Sequence, residues 1–337
     1  MHYLLPPEIQ LDIFKYLNFN QLLSFQQTNS YFKNFIGKYE KDLARMCLYE
    51  IEIINIDENN ANKYKLFKPE TKVYGFQLGK LLEKKWMCGI EESIPVFLST
   101  ADTNMNIVGC ELKKNLNDEY IYLQFPNHPK NVEEMKIVRY LFEQLFNCCF
   151  NYFYFSHIIF NPQIIELLFD ENQTNLPRQI YSQYCCLFIN NELLSKSPFN
   201  YILSNTIDVN IVDSELEQEE IDILFKMLIN GGYRFLTADF MIFQNLAKLI
   251  NFIIQVLYLE TSKDVAKMVK KIRLICSHVQ VTIPSEGAKD IKIKIENNIK
   301  YTTYQLSNKY NPEIEFSIYI QEKNEILLDA EINRLPN

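Results

Sequence analysis

The residues that come nearest to a catalytic pattern are one histidine and two adjacent cysteines. His157 lies in the apolar run Tyr152 to Phe160 beside Ser156, and Cys148-Cys149 lie close to it in sequence. A thiol at either cysteine, activated by the imidazole, is the nucleophile this spacing brings to mind. A lone His within a strand more often serves as a face or core residue, so the hydrolase reading is kept for contrast and the chain is expected not to be an enzyme. The other His residues, at 2, 128 and 278, stand apart. His-x-x-x-His, Cys-x-x-Cys, Gly-x-Gly-x-x-Gly and Gly-x-x-x-x-Gly-Lys runs are absent, and eight glycines in 337 residues leave little material for a phosphate loop. No cofactor, metal or catalytic residue is expected. Glu133-Glu134 and Glu217 with Glu219-Glu220 read as helix-start charges or solvated faces.

The eight cysteines, at 47, 88, 110, 148, 149, 185, 186 and 276, read as reduced core residues of a cytoplasmic or nuclear protein. A net charge of −8 and a pI near 5.3 argue against a nucleic-acid or anionic-membrane surface, because phosphates reward clustered Lys and Arg. No basic segment followed by an apolar one opens the chain, so no signal peptide is expected. The strongest apolar run, Leu249 to Leu259, is about half a bilayer span, and the chain is expected to be soluble.

Positioning begins with the first forty-odd residues. Pro6-Pro7-Glu8 suits the first turn of a helix running to about Leu17. Asn18-Phe19-Asn20 ends it and caps a second helix with Leu22, Leu23 and Phe25. Thr28-Asn29-Ser30 caps a third with Tyr31, Phe32, Phe35, Ile36 and Tyr39, continuing toward Leu43 and Met46. On the first helix Ile9, Leu11, Ile13, Phe14, Tyr16 and Leu17 cover an arc of roughly 220°, about twice what one core needs. That excess implies a partner. Leu5, Pro6, Ile9, Ile13 and Leu17 are expected to carry its face, while Phe14, Leu22, Leu23 and Phe32 close the bundle.

The polar run Asp57 to Lys63 reads as an exposed loop, and residues 49–90 as a linker ending in a helix through Trp86, a packing anchor, to Cys88-Gly89. Residues 91–262 read as an α/β body. Ile94 to Ser99, Asn106 to Leu112 and Tyr120 to Phe125 are expected strands, and Val138 to Cys149 an amphipathic helix. Strands then alternate with helices. Tyr152 to Phe160, Tyr184 to Ile189, Ile207 to Val212 and Tyr233 to Leu236 are the strands. The helices begin at Asn161-Pro162, at Ser197-Pro198 and at a capping box Ser214 to Glu217, the last ended by Gly231-Gly232 in left-handed backbone. The repeat suggests a leucine-rich-repeat-like solenoid, with a doubly wound open sheet as the alternative. Phe240 to Leu259 reads as a final helix, with Thr261-Ser262 capping a short one. Residues 263–337 read as antiparallel strands capping the body, at Ile272 to Cys276, Val279 to Ile283, Ile291 to Ile295, Tyr301 to Gln305, Ile314 to Ile320 and Ile326 to Ile332.

The order Leu5-Pro6-x-Glu8-Ile9-x-Leu11-x-Ile13-Phe14-x-x-Leu17, then Leu22-Leu23, then Phe32, Phe35 and Ile36, resembles the F-box motif over residues 1–48. Tyr31 and Phe32 stand where F-boxes often carry Trp. The body is similar to that of a group of nematode F-box proteins at Ile94-Pro95-Val96-Phe97-Leu98, Pro129 to Met135, Phe160-Asn161-Pro162, Leu167 to Asp170, Thr261 to Asp264, and Asn311-Pro312 with Phe316-Ser317-Ile318. The resemblance implies docking on a Skp-type adaptor, and through it a cullin, by Leu5, Pro6, Glu8, Ile9, Ile13, Phe14, Leu17, Leu22 and Leu23. It implies an SCF-type ubiquitin ligase in which the body holds a protein target and catalysis is proximity. A scaffold that binds the adaptor without target ubiquitination is the alternative. The target, the face that binds it and the oligomeric state are not readable from the residues.

Overall fold

The structure, a computed structural model, describes residues 5–39, 42–56, 66–67, 78–99, 107–169, 179–212, 216–242, 246–259, 267–275, 287–324 and 326–336. Three short helices open the chain: α1 (Pro7–Lys15), α2 (Phe19–Gln26) and α3 (Ser30–Lys38). The expected caps form them. Asn18 Oδ1 accepts the Gln21 N–H at 3.0 Å while Gln21 Oε1 accepts the Asn18 N–H at 2.9 Å, and Asn29 Oδ1 accepts the Phe32 N–H at 2.9 Å. Phe14, Leu22, Phe35, Ile36 and Leu43 make a small core separate from that of the body. Phe14 meets Phe25, Phe32 and Phe35 at ring centroid distances of 5.3 to 5.7 Å. Leu23, expected to close this bundle, is exposed instead. The third helix stops at Lys38, and Met46 opens a strand rather than extending the helix.

The body follows as β1 (Met46–Ile56), β2 (Leu66–Phe67), α4 (Lys80–Glu91), β3 (Phe97–Ser99), β4 (Ile107–Lys113), β5 (Ile121–Phe125), α5 (Val132–Asn147), β6 (Cys148–Ser156), β7 (Ile158–Phe160) and α6 (Pro162–Leu168). It continues with β8 (Ile180–Ile189), α7 (Asn191–Ser195), β9 (Ile202–Ile211), α8 (Gln218–Asn230), β10 (Phe235–Ile242), α9 (Leu246–Leu259) and β11 (Lys271–Ile275). Four strands end it: β12 (Ala288–Glu296), β13 (Ile299–Ser307), β14 (Glu315–Lys323) and β15 (Ile326–Arg334). Among the described residues, 13 strands form one sheet in the order β12-β13-β14-β15-β11-β10-β9-β8-β6-β1-β4-β5-β2, and β3 pairs β7 separately. From β1 through β6, β8, β9, β10 to β11 neighbours are parallel and lie in chain order.

The strand order from β6 to β11 does not reverse, as a doubly wound sheet would require. Expected as a cap on the end of the body, the C-terminal strands continue the same sheet, because β15 pairs antiparallel to β11. One core runs its length. Ile51, Ile53, Phe153, Phe155, Cys185, Leu187, Ile207, Val209, Ala238 and Phe240 alternate along their strands and meet helix residues such as Ile165, Leu224 and Ile253 in a single cluster.

Several expected elements fall elsewhere. Residues 49–56, expected in a linking segment, lie inside β1 between β4 and β6. Their signal is the alternation Glu50-Ile51-Glu52-Ile53. Ser197-Pro198 opens only one 3-10 turn, Pro198–Tyr201, before Ile202 starts β9. The capping box sits at Glu217 and Glu220, with the Glu217 N–H donating to Glu220 Oε2 at 2.9 Å. Helix α4 passes through Gly89 to Glu91. A Cβ at Gly89 would stand 2.8 Å from Leu167 Cδ1, so this glycine serves the close approach of α4 to α6. Gly231 has φ −88°, not a left-handed value. At Gly232 a Cβ would meet the Lys267 and Met268 carbonyls, so space rather than φ explains that glycine. The stretch 240–259 divides into the end of β10 and helix α9. Ser214, Val279 to Ile283 and Thr261-Ser262 lie outside the described residues.

Candidate functional site

Helix α1 divides its apolar side chains between two surfaces. Phe14 turns inward at 5% exposure with Leu11 and Leu17 against the small core, whereas Leu5, Ile9 and Ile13 stand 46 to 47% exposed and Tyr16 is 90% exposed. Ile9, Ile13 and Tyr16 follow i, i+4, i+7 spacing and so share one stripe of the helix. Pro6 precedes the first turn with φ −55° and Glu8 sits within it. Of the nine expected partner residues, the structure leaves Leu5, Pro6, Glu8, Ile9, Ile13 and Leu23 open, half-buries Leu17, and buries Phe14 and Leu22. The last two can act on a partner only through the shape of the bundle.

Sequence reasoning missed the polar residue that holds this stripe. Gln10 is 7% exposed, its Nε2 donates to the Leu5 carbonyl at 2.7 Å, and its Oε1 accepts the Tyr31 hydroxyl at 2.8 Å. The segment before α1 is thereby tied to α3. Tyr31, noted only as standing where a Trp is common, thus has a structural task.

Residues 3–43 match the F-box domain. The chain therefore carries an F-box module, which implies binding of a Skp-type adaptor within an SCF complex and, in general, a substrate-recognition role there. Residues 67–217 match a domain of unknown function, DUF8381. No curated protein and no solved structure matches the chain.

Behind the F-box the Cys–His pattern comes apart. His157 has φ 62° at the break between β6 and β7, is exposed, and donates its backbone N–H to the Phe188 carbonyl at 2.8 Å. Cys148 and Cys149 open β6, so at ~3.3 Å per residue they lie roughly 25 to 30 Å from His157. Cys149 is bonded to Cys47, its register partner on β1, and the expectation that all cysteines are reduced fails for this pair. Neighbouring parallel strands place the two Cα atoms 4.7 Å apart, within disulfide reach. Burial pushes the Cys148 thiol up to about 11, which disfavours a thiolate.

Trp86 is fully buried, with its Nε1–H donating to the Leu167 carbonyl at 2.9 Å. A polar network lies on β8 and β9: the Tyr184 hydroxyl donates to Asp208 Oδ2 at 2.5 Å, and Asn210 Nδ2 donates to Asp208 Oδ1 at 3.2 Å and to Cys186 Sγ at 3.3 Å. Burial and the Asp208 charge push the Cys186 thiol up to about 12. Among the described residues no three His, Cys, Asp or Glu side chains converge as a metal site, and no helix is long and apolar enough to cross a membrane.

Proposed function

We propose that the chain is the substrate-recognition subunit of an SCF-type ubiquitin ligase, of the kind found in the nematode F-box proteins its body resembles. The F-box stripe of Leu5, Ile9 and Ile13, with Pro6, Glu8, Leu23 and the half-buried Leu17, meets the Skp-type adaptor, and the sheet body meets a protein target. The F-box match together with an apolar α1 stripe that the module's own core leaves unused carries this reading. Burying a Leu or Ile side chain contributes about 1.5–3 kcal/mol, and several such anchors together exceed an association cost that one alone would not. Catalysis is then proximity: a target lysine is held near the charged ubiquitin carrier, and this subunit supplies geometry. The division is F-box over residues 1–48 and target recognition by the α/β body and its C-terminal strands, in a cytoplasmic or nuclear setting.

The test is co-purification with a Skp-type adaptor and its cullin. The Ile9→Asp, Ile13→Asp double variant is expected to lose the adaptor while its body melts as in the parent, since the small core of Phe14, Leu22 and Phe35 is separate. Unchanged adaptor binding would overturn the assignment. Adaptor binding without cullin would favour a scaffold.

A further inference from the structure

Among the described residues, one face of the body's sheet packs its apolar side chains against the helices, and the other carries Glu50, Glu52, Tyr152, Tyr154, Tyr184 and Asp208, which are half-buried or exposed, around the buried Cys186. The side chains facing away from the helix layer align across strands, because β4, β1, β6, β8, β9 and β10 are in register. One such row reads Glu111, Glu52, Tyr154, Cys186, Asp208, Asp239. Twice in it a carboxylate stands directly opposite another: Glu52 faces Glu111, and Asp208 faces Asp239. Like charges opposed across strands destabilise a sheet: Glu52 and Glu111 face only each other and the tyrosines Tyr154 and Tyr122, a cost that a bound cation would relieve, whereas Asp239 also faces Arg273 on β11 and Asp208 accepts from Tyr184 and Asn210. Burial raises the Glu111 carboxyl above its ordinary range, with the Glu52 and Glu50 charges adding to it. Asp239 shifts the same way through burial and Asp208, opposed by Arg273 and Lys271. Oδ1 of Asp239 is buried without a hydrogen-bond partner.

Between the two acidic pairs lies an aromatic platform. Tyr152 and Tyr154 stack nearly parallel with centroids 6.2 Å apart, and Tyr184 stands 6.0 and 6.4 Å from them. At ~4.8 Å per strand, Glu52 on β1 and Asp208 on β9 are about 14 Å apart across this platform. The described cations beside this face, Lys113, Lys271 and Arg273, already have partners. Lys113 faces Glu50 and holds its Nζ 4.9 Å over the Tyr120 ring. On β11, Arg273 pairs with Asp329 at 2.8 Å and Lys271 with Glu331 at 3.0 Å.

We propose that this open sheet face docks an extended, arginine- or lysine-bearing segment of a protein partner. Its cations meet the Glu52–Glu111 and Asp208–Asp239 pairs and its aliphatic stems lie over Tyr152, Tyr154 and Tyr184. Charge complementarity selects this occupant: nucleic acid or an anionic membrane would set phosphate against carboxylate, and a second copy would set acid against acid. The proposal rests on the reading of the body as the target-binding part and names the chemistry of its target.

The experiment titrates a fluorescein-labelled peptide of alternating arginine and serine, and its glutamate-for-arginine counterpart, with the full chain free of adaptor, read by anisotropy. The arginine peptide is expected to bind, to weaken as salt rises, and the glutamate peptide not to bind. Glu52→Gln with Glu111→Gln is expected to weaken binding roughly tenfold, as is Tyr152→Ala alone. A control at the C-terminal end of α4, Glu91→Gln with Glu92→Gln, removes the same charge and is expected to leave binding unchanged. The Gln variants remove like-charge repulsion, so they are expected to melt no lower than the parent. Equal binding of both peptides, or equal losses in the sheet-face and α4 variants, would overturn the proposal. Because the adaptor is absent, failure here is separate from failure of adaptor docking, which the co-purification reads.

Discussion

At the scale of single residues, the informative positions are those whose type contradicts their place. Gln10 is a polar side chain buried in the helical module, and it is tolerated because both ends are bonded. Tyr31→Phe removes one bond and leaves Gln10 Oε1 without the Tyr31 hydroxyl. The expected cost is about 1 kcal/mol, read as roughly fivefold faster hydrogen exchange of α1 and α3 amides with the body's exchange unchanged. Unaltered exchange would make the Tyr31 hydroxyl irrelevant to the module. Gly232 is the second such position. Its N–H donates to the Lys267 carbonyl at 2.8 Å while a Cβ would strike that same carbonyl. Gly232→Ala forces backbone to move and is expected to lower stability by more than about 2 kcal/mol, seen as a fall in Tm by calorimetry. The pair Gly231-Gly232 was legible as a helix end; that the requirement is space and not φ depends on residues 267 and 268, remote in sequence.

At the scale of elements, legibility followed how local the cause was. The caps Asn18, Asn29, Asn131 and Asn161 all accept a nearby backbone N–H; Asn18, Asn29 and Asn161 lie where the sequence expects a helix to begin, whereas Asn131 opens α5 at Val132, six residues before the expected Val138. Strands were found by their apolar cores and missed at their starts. β6, β8 and β9 begin about four residues before the expected positions, because pairing with neighbours carries them through Asn151, Gln183 and Asn205. Those residues break the alternation, yet Asn205 Nδ2 bonds Gln183 Oε1 across the strands, a partner no local pattern reveals. The alternation of β12 was plain, and its consequence is a prediction. This strand is the end of the sheet, with Ile291, Ile293 and Ile295 exposed on one face and Lys292 and Lys294 on the other. Lysines guard open edges against pairing with other chains. Lys292→Val with Lys294→Val is therefore expected to shift the chain to larger species in light scattering, and a monodisperse variant would show that the edge needs no guard.

At the scale of the whole molecule, the sheet concentrates carboxylates that are far apart in sequence on one face, which no composition or periodicity foretells. A net charge of −8 was visible; that Glu52 would face Glu111 and Asp208 face Asp239 was not, since register depends on the assembled sheet. Register also fixes the sign of the pH dependence. The folded state holds the Glu111 and Asp239 carboxyls above their unfolded values, so over that interval the native chain binds more protons than the unfolded one. Stability contributed by these groups therefore falls as pH rises through their folded-state range, opposite to a carboxylate stabilised by an ion pair. Glu111→Gln removes that liability, keeps the side-chain shape and relieves Glu52. The variant is expected to match the parent below about pH 4, where an unfolded Glu is itself protonated, and to melt above it by a margin that grows as pH rises through the folded-state range of Glu111 and then levels off. A variant that melts below the parent at neutral pH would mean that Glu111 has a stabilising partner and that the opposed carboxylates are not a strained pair awaiting a cation.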